Sequence, residues 1–306
     1  MLLALLALLS ASSCLCVPRV LLTDGLAPAG VQRLAKSATV IDRHYTPQEL
    51  DDGALAEYDA VVIRSATRLT EEAIRAGVSG RLRVIGRAGV GVDNIELEAA
   101  AEGGCWVLNT PSASTASVVE MTIAHLLASA RGLQQSDVGL KSGVWLKGQL
   151  RLGLDGGPKM GHELAGKRIG LLGFGRSAQG VARVASTLGM TVHATSRVPL
   201  EQAAADFGVH IEATAEDLFS KCTHVVVLCS LNDETRGLVN RRMLDLMPQA
   251  NQRSMRVRVA YFSDYVQEGL DGTPCGSHLV NMARGGIVVE EDAAAALNEG
   301  QVNFAR

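Results

Sequence analysis

Aromatic residues are scarce in this sequence, at 4% of 306 residues, and neither sign of charge dominates. The 29 basic and 32 acidic residues give a formal net charge of −3, and the isoelectric point is near 6.2. A charge this small gives no general attraction to nucleic acid or to an anionic membrane, and we expect neither as a partner. The rest of the composition, 47% hydrophobic and 20% charged with 32 glycines, is typical of an α/β protein with room for two domains.

Cysteine is also sparse, and its spacing argues against two kinds of structure. The cysteines show neither the close pairs of a zinc site nor the dense framework of a disulfide-rich domain. We therefore predict free thiols in a reducing compartment and no metal site. The six residues are Cys14, Cys16, Cys105, Cys222, Cys229 and Cys275.

The sequence lacks an apolar run of the roughly 20 residues that a membrane-spanning helix needs. Residues 2–9 resemble the apolar part of a signal peptide, but no lysine or arginine comes before Arg19. A targeting leader at residues 1–16 and a frayed extension or mis-assigned start therefore both stay open. We exclude residues 1–18 from the fold, and localisation is left as cytoplasmic or organellar.

Short apolar runs, each closed by polar or glycine residues, alternate with helical patterns along the chain. This order predicts parallel sheets covered on both faces, in two doubly wound α/β domains that meet near Asn109, Thr110 and Pro111. The second domain is expected to lack its last strands and to have a frayed C-terminal edge. The predicted strands are residues 20–24, 39–42, 60–65, 83–89, 105–110, 168–175, 191–196, 224–230 and 278–283.

Residues 114–131 form a helical pattern that is apolar almost all round. Val118, Val119, Ile123 and Leu126 would face water in a monomer, and exposed apolar patches mark interfaces. We predict a two-fold symmetric homodimer through this helix; burial within one subunit is the alternative.

Two connections are unusually long for a compact domain, residues 147–162 and 248–277. We interpret residues 250–275 as an irregular accessory insertion or as translated non-coding sequence.

The strongest motif is Gly173-Phe174-Gly175-Arg176-Ser177-Ala178, a G-x-G-x-x-A pattern between a predicted strand and a helix. The first glycine permits a tight turn, the second lets a pyrophosphate approach the backbone, and a small third residue lets helix and strand touch. The helix N-terminus supplies free N–H groups and a positive dipole end to the anion, so Arg176 and Ser177 join the cofactor site. A glycine turn without a ligand is the alternative.

The end of the next strand decides between the two nicotinamide cofactors. An acidic residue there binds the ribose hydroxyls of NAD, whereas this chain has Ser196 followed by Arg197. A hydroxyl and a guanidinium are suited to a 2′-phosphate, so NADP is favoured and NAD stays open. In the alternative interpretation, Arg197 only covers the surface.

Five blocks together resemble the D-isomer-specific 2-hydroxyacid dehydrogenases, in particular phosphoglycerate dehydrogenases and glyoxylate/hydroxypyruvate reductases. They are VIRSAT (62–67), GRAGVGVDNIELEAA (86–100), VLNTPSAST (107–115), ELAGKRIGLLGFGR (163–176) and LVNMARGGIVVEEDA (279–293). The resemblance implies a flavodoxin-like substrate domain at 19–111 and a Rossmann NAD(P)-binding domain at 112–306. It implies reduction of a small 2-oxo acid to its D-2-hydroxy acid.

The same resemblance assigns residues to the substrate. It implies that the backbone N–H groups of Val90 and Gly91 hold the carboxylate, and that Arg64 serves phosphorylated substrates unless it only pairs with Asp93. Arg284 is the expected catalytic residue, because a guanidinium stabilises the charge that hydride transfer builds on a ketone oxygen. A structural role beside a buried carboxylate is its alternative. Beside the cofactor we also expect Cys229, Met282, Ala283 and Arg284.

The family's catalytic glutamate and histidine come from motifs of the type LDVFExEP and PHxGxxT, and neither occurs in this sequence. Loss of general acid catalysis costs about 10²–10⁴ in rate. A catalytically impaired NAD(P)-binding module or dimeric scaffold of the same fold therefore stands as the alternative function.

Overall fold

The computed structural model describes residues 17–145, 162–197, 201–248, 277–298 and 302–305. The leader predicted at 1–16, residues 147–161 of the first long connection and the insertion at 250–275 lie outside the described residues. The chain divides into two compact units, Met1–Ser114 and Thr115–Arg306.

The first unit contains a five-stranded sheet in which all neighbouring strands are parallel. The strand order β2-β1-β3-β4-β5 is that of flavodoxin-like doubly wound folds, as the sequence predicted. The strands are β1 (Arg19–Leu22), β2 (Thr39–Asp42), β3 (Ala60–Ile63), β4 (Val84–Arg87) and β5 (Trp106–Asn109).

Alternate residues of the same strand enter different cores, which explains the continuous apolar runs. Leu21 and Val61 pack into the cluster on one face of the sheet, whereas Val20 and Val62 pack into the cluster on the other. Helices cover these faces, and hydroxyl caps begin two of them: Thr46 accepts from the amide of Glu49, and Thr70 from that of Ala73. The helices are α1 (Pro28–Leu34), α2 (Pro47–Asp51), α3 (Glu71–Ser79) and α4 (Leu97–Glu102), with a 3₁₀ turn at Ala54–Glu57.

The second unit contains a six-stranded parallel sheet with the order β11-β10-β9-β6-β7-β8. Counted from its own first strand this is 3-2-1-4-5-6 read backwards, the strand order of dinucleotide-binding Rossmann folds. The predicted two-domain α/β fold is thereby confirmed. The strands are β6 (Arg168–Leu172), β7 (Thr191–Thr195), β8 (His210–Ile211), β9 (His224–Val227), β10 (Ser277–Asn281) and β11 (Val302–Ala305).

The sequence analysis missed one strand of this sheet and wrongly predicted a frayed edge beside β10. Val302–Ala305 forms the sixth strand and pairs in parallel with β10, from Ser277 opposite Val302 to Val280 opposite Ala305. The edge of β10 is therefore paired rather than frayed. A four-residue segment with alternating apolar residues cannot be distinguished from a loop by its sequence. It is recognised as a strand only because it pairs with the edge strand β10.

The described residues of the second unit contain seven helices. They are α5 (Thr115–Arg131), α6 (Leu133–Lys141), α7 (Arg176–Thr187), α8 (Glu201–Phe207), α9 (Ala215–Lys221), α10 (Arg241–Leu246) and α11 (Glu290–Asn298). Helices α5 and α7 approach closely, since a Cβ on Gly180 would lie 2.5 Å from Cγ2 of Val119. Among the described residues, no helix is long and apolar enough to cross a membrane.

Helix α5 buries much of its apolar surface inside its own unit. Leu126 is fully buried, and Val119 and Ile123 pack against the same core cluster. The expectation that these three residues would face water in a monomer is wrong, because they pack against the core cluster that α7 and β6 also form. The exposed apolar side chains of this region are instead Met121, Leu127, Leu133, Val138 and Leu140.

Candidate functional site

The carboxyl ends of β6 and β9 mark the point where the second sheet changes direction. Strand β7 continues the chain on one side of β6, and β9 begins the return on the other. Two backbone hydrogen bonds hold the exits from the strands together: Gly173 N donates to Thr195 O at 2.9 Å, and Leu228 N donates to Leu172 O at 2.9 Å. Ligands of doubly wound sheets bind in the crevice outside such a switch point.

Gly173 begins the glycine turn (residues 173–178) and meets two constraints. Its φ is +93°, a left-handed conformation that costs residues with a side chain about 1–2 kcal/mol. A Cβ at this position would also lie 2.8 Å from the backbone N and Cα of Cys229. Only glycine therefore fits where the turn passes the exit of β9.

Gly175 caps α7 and is constrained in a different way. Its φ of −81° suits any residue, and among the described residues no heavy atom lies within 4 Å of where its Cβ would be. The fold therefore does not require a glycine here, but an anion that approaches the backbone does. No side chain caps this helix end, and its first turn has no acidic residue.

The helix that follows completes a candidate pyrophosphate site. The N–H groups of its first turn have no partners within the helix, and the dipole makes this end positive. Arg176 is exposed and Ser177 is half-buried. Ala178, the small third residue of the motif, is fully buried in the core with Ile169 of β6. The donors and the open space fit the diphosphate of a dinucleotide.

Ser196 and Arg197 follow β7, where a ribose would be recognised, and both are exposed. Arg197 Nη1 lies 2.7 Å from Oε2 of Glu234, with side chains 68% and 69% exposed. Exposed pairs of this kind contribute about 0–1 kcal/mol, so the guanidinium is available to a stronger anion.

The exit of β9 forms the facing wall of the switch point. Cys229 is half-buried, and burial raises the pKa of its thiol, which therefore stays protonated at neutral pH. The next residues are fixed by Thr235, whose hydroxyl donates to Ser230 O at 2.7 Å, and by Asn232, whose Oδ1 accepts from Thr235 N at 3.0 Å. The sequence analysis missed both residues.

A side-chain clamp holds Arg284 at the end of β10. Asn281 Nδ2 donates to Arg284 O at 3.0 Å, and Asn281 Oδ1 accepts from Ala283 N at 3.1 Å. Met282 N donates to Val227 O at 3.1 Å, which keeps this exit beside that of β9. Met282, Ala283 and Arg284 are all half-buried. The sequence analysis did not foresee the role of Asn281.

In the first unit, the predicted substrate residues lie at the carboxyl ends of two paired strands, β3 and β4. Val90 is 45% exposed, and its carbonyl accepts from Asn109 Nδ2 at 2.8 Å. Gly91 is half-buried and follows in the same loop. Asn109, which the sequence analysis also missed as a site residue, thus fixes the loop whose N–H groups were assigned to a carboxylate.

Arg64 follows β3 and is exposed. Its backbone N donates to Asp24 Oδ2 at 2.6 Å, and the Thr67 hydroxyl donates to Oδ1 at 2.6 Å. Burial raises the pKa of Asp24, but these hydrogen bonds outweigh it and hold the pKa below its usual value. The carboxylate therefore stays ionised and fixes the backbone from which Arg64 projects.

The sequence resembles known proteins of one family throughout. Residues 123–252 match the family model described as "D-isomer specific 2-hydroxyacid dehydrogenase, NAD binding domain". A hydroxypyruvate reductase of Thermotoga maritima is 33% identical over 249 residues, 81% of this chain and 68% of the relative. D-3-phosphoglycerate dehydrogenase 2 of Arabidopsis thaliana, a chloroplastic protein, is 33% identical over 287 residues, 93% of this chain and 40% of the relative.

Solved structures give the same fold. The crystal structure of a cofactor (NAD⁺)-bound 3-phosphoglycerate dehydrogenase of Entamoeba histolytica superposes with a TM-score of 0.66 at 21% identity, and covers 94% of this chain and 80% of that one. The chain spans less than half the length of the curated phosphoglycerate dehydrogenases that it matches. On its sequence, its strand order and the glycine turn, the chain belongs to the D-isomer-specific 2-hydroxyacid dehydrogenases, a family of NAD-binding enzymes.

Proposed function

We propose that the chain binds a nicotinamide dinucleotide at the glycine turn and interconverts a small 2-oxo acid and its D-2-hydroxy acid. The observation that carries the proposal is the pairing of an open, uncapped helix N-terminus at Gly175 with a clamped Arg284 on the same edge of one sheet. Glyoxylate and hydroxypyruvate are the first candidate substrates, and the 3-phosphoglycerate reaction is second. The names of the relatives, hydroxypyruvate reductase and D-3-phosphoglycerate dehydrogenase, support this range.

The chemistry requires a group that stabilises charge on the substrate oxygen. When the cofactor is bound it supplies a hydride, and the ketone oxygen becomes negative as the hydride arrives. A guanidinium held in position beforehand stabilises that oxygen without reorganisation, and its planar fork can bind carboxylate and carbonyl oxygens together. We assign this role to Arg284. In the first unit, we assign the substrate carboxylate to the N–H groups of Val90 and Gly91, and the phosphate of a phosphorylated substrate to Arg64.

The test combines nucleotide titration with turnover. Oxidation of NADH and NADPH is followed with glyoxylate, hydroxypyruvate and phosphohydroxypyruvate in turn. Turnover with any of these acids supports the proposal. Stoichiometric nucleotide binding without turnover on all three selects the alternative function, a catalytically impaired module or scaffold.

We further propose that the site prefers NADPH, because Ser196 and Arg197 replace an acidic residue at the end of β7. NADPH should bind at least about tenfold more tightly than NADH. The 2′-phosphate gains one charge-assisted hydrogen bond with Arg197, and the cost of breaking the exposed Arg197–Glu234 pair is small. Arg197→Ala should weaken NADPH alone, and Ser196→Asp should reverse the preference. Glu234→Gln is the matched variant, since releasing Arg197 should strengthen NADPH binding.

Calorimetric titration of both nucleotides measures this preference, which should shrink as salt rises because the site is exposed. Equal affinities, or tighter binding of NADH, would show that Arg197 only covers the surface.

We also propose a homodimer that uses α5 together with α6. Met121 on α5 is 52% exposed, and Val138 and Leu140 on α6 are 57% and 61% exposed. Trp145, just beyond α6, is 75% exposed, an unusual position for a large aromatic side chain in water. Light scattering at micromolar concentration should give about twice the chain mass of 32.2 kDa. A monomeric mass would contradict the dimer.

A further inference from the structure

Three histidines meet at the edge of the second sheet opposite the glycine turn. His224 begins β9, His278 is the second residue of β10, and the two are direct partners in the parallel ladder. Their rings therefore stack, with centroids 4.5 Å apart and planes 3° apart. His162 lies before β6, and its ring centroid is 5.2 Å from that of His224 and 4.8 Å from that of His278. We call these three residues the histidine cluster.

The ligand atoms of the cluster converge. One ring nitrogen of each histidine lies within 4.8 Å of those of the other two, and Nε2 of His162 is 3.1 Å from Nε2 of His224. Around a tetrahedral Zn²⁺ with Zn–N bonds of about 2.0–2.1 Å, two nitrogens are about 3.3 Å apart. One pair already has this spacing, and the third nitrogen lies within about 1.5 Å of it. Since the lone pair of an imidazole lies in the ring plane, one of the two stacked rings must also turn out of the parallel arrangement to face the same ion.

Hydroxyl groups fix the opposite nitrogens of the two strand histidines. The Thr223 hydroxyl donates to Arg168 O at 3.2 Å, so it accepts from Nδ1 of His224, 3.0 Å away. This fixes the tautomer in which Nε2 of His224 has a lone pair that faces the cluster. Ser129 Oγ lies 2.5 Å from Nδ1 of His278 and holds that nitrogen in place. Outer partners of this kind orient the ligands of metal-binding histidines.

Metals bind the neutral form of imidazole, and burial favours that form at two of the three histidines, His162 and His224. Burial, together with His278, Lys167 and Arg131, lowers the pKa of His162 to about 3. Burial likewise lowers the pKa of His224 well below its usual value. The positive charges of Lys167 and Arg131 weaken the attraction of the site for any cation. Its preference among metal ions therefore depends on coordination by nitrogen and not on charge. His162 is half-buried, whereas His224 and His278 are buried.

We propose that His162, His224 and His278 bind one divalent transition-metal ion, Zn²⁺ first, through three imidazole nitrogens. Three nitrogen ligands suit Zn²⁺ and exclude Mg²⁺ and Ca²⁺, which prefer oxygen. The ion would join the segment before β6 to the amino ends of β9 and β10. Its role is structural, because the glycine turn and Arg284 lie at the carboxyl edge.

The test uses the full chain without an affinity tag, stripped by a chelator and then titrated with ZnCl₂ or MgCl₂ by calorimetry. We expect one Zn²⁺ per chain and no Mg²⁺. Saturating Zn²⁺ should raise the unfolding temperature by about 5–10 °C at a hundredfold excess over Kd. Cys105 and Cys222 do not produce the same signal readily, since burial raises the pKa of both thiols to about 12.

Variants separate the cluster from other histidines. His162→Gln, at the half-buried position, should lose stoichiometric Zn²⁺ binding, whereas His125→Gln on α5 is the matched control and should keep it. Ser129→Ala keeps all three histidines but removes the hydroxyl beside His278, and it should weaken Zn²⁺ binding by about tenfold. This variant tests the proposal if His162→Gln does not fold. The proposal is overturned if the wild type binds no stoichiometric Zn²⁺. It is also overturned if His162→Gln or Ser129→Ala binds Zn²⁺ as tightly as the wild type. Dinucleotide affinity is measured in parallel and should be unchanged in all three variants.

Discussion

Gly175→Asp should weaken dinucleotide binding by at least about 100-fold while the protein stays folded. Gly175 has a φ of −81° and no described heavy atom within 4 Å of its Cβ position, so the new side chain fits without strain. Aspartate is also a good N-cap, so the stability of the free protein should be unchanged or slightly raised. The carboxylate would take the N–H groups that the pyrophosphate needs and would repel its charge. Losing one or two charge-assisted hydrogen bonds, each about 1.5–3 kcal/mol, gives this magnitude.

Gly173→Ala is the contrasting variant, and its effect should be on folding. The left-handed φ of +93° and the 2.8 Å approach to Cys229 should lower the free energy of unfolding by about 1–3 kcal/mol. Thermal unfolding and calorimetric titration of both variants provide the comparison. If Gly175→Asp bound NADPH within about tenfold of wild type, the dinucleotide would not lie on the N-terminus of α7.

The second large effect is expected at Arg284. Arg284→Lys should lower kcat by about 10²–10³, because the single point charge of lysine cannot reproduce a bidentate fork on the substrate oxygens. The affinity for the reduced dinucleotide, measured without substrate, should change far less than the rate. Asn281→Asp is a positioning variant: it keeps the acceptor for Ala283 N but loses the donor to Arg284 O, and should lower kcat by a smaller factor.

Arg242→Lys is the matched control for Arg284→Lys. Arg242 belongs to the same unit, its side chain is 78% exposed, and it pairs with Glu216 at 3.5 Å. Steady-state rates with hydroxypyruvate should be the same for this variant and wild type. An Arg284→Lys enzyme with wild-type kcat would show that the guanidinium does not act on the reacting oxygen.

The fold could be predicted because the signals that determine it are local. Continuous apolar strands, glycine-terminated exits and intervening helices specify parallel sheets covered on both faces. The glycine turn was identified for the same reason, because Gly173, Gly175 and Ala178 are close in sequence and form one continuous motif. Strand β11 was missed because four residues with weak alternation become a strand only beside the free edge of β10.

The residues that escaped sequence analysis carry no distinctive local pattern. Asn109 reaches back to the carbonyl of Val90, and Asn281 and Thr235 fix turns with hydrogen bonds that any loop asparagine or threonine could make. The histidine cluster joins positions 162, 224 and 278, and only the parallel register places the last two side by side. One signal was available: two adjacent predicted strands each have a histidine at their amino end.

The most direct measurement is transfer of deuterium from a reduced dinucleotide labelled at the transferable position of its nicotinamide. The full chain is mixed with labelled NADPH and hydroxypyruvate, and the product is examined by mass spectrometry and chiral chromatography. We predict D-glycerate with one deuterium at C2, formed by wild type and reduced in Arg284→Lys. Bound dinucleotide with no labelled product, for glyoxylate as well as hydroxypyruvate, would contradict a 2-oxo acid reductase and leave a nucleotide-binding module.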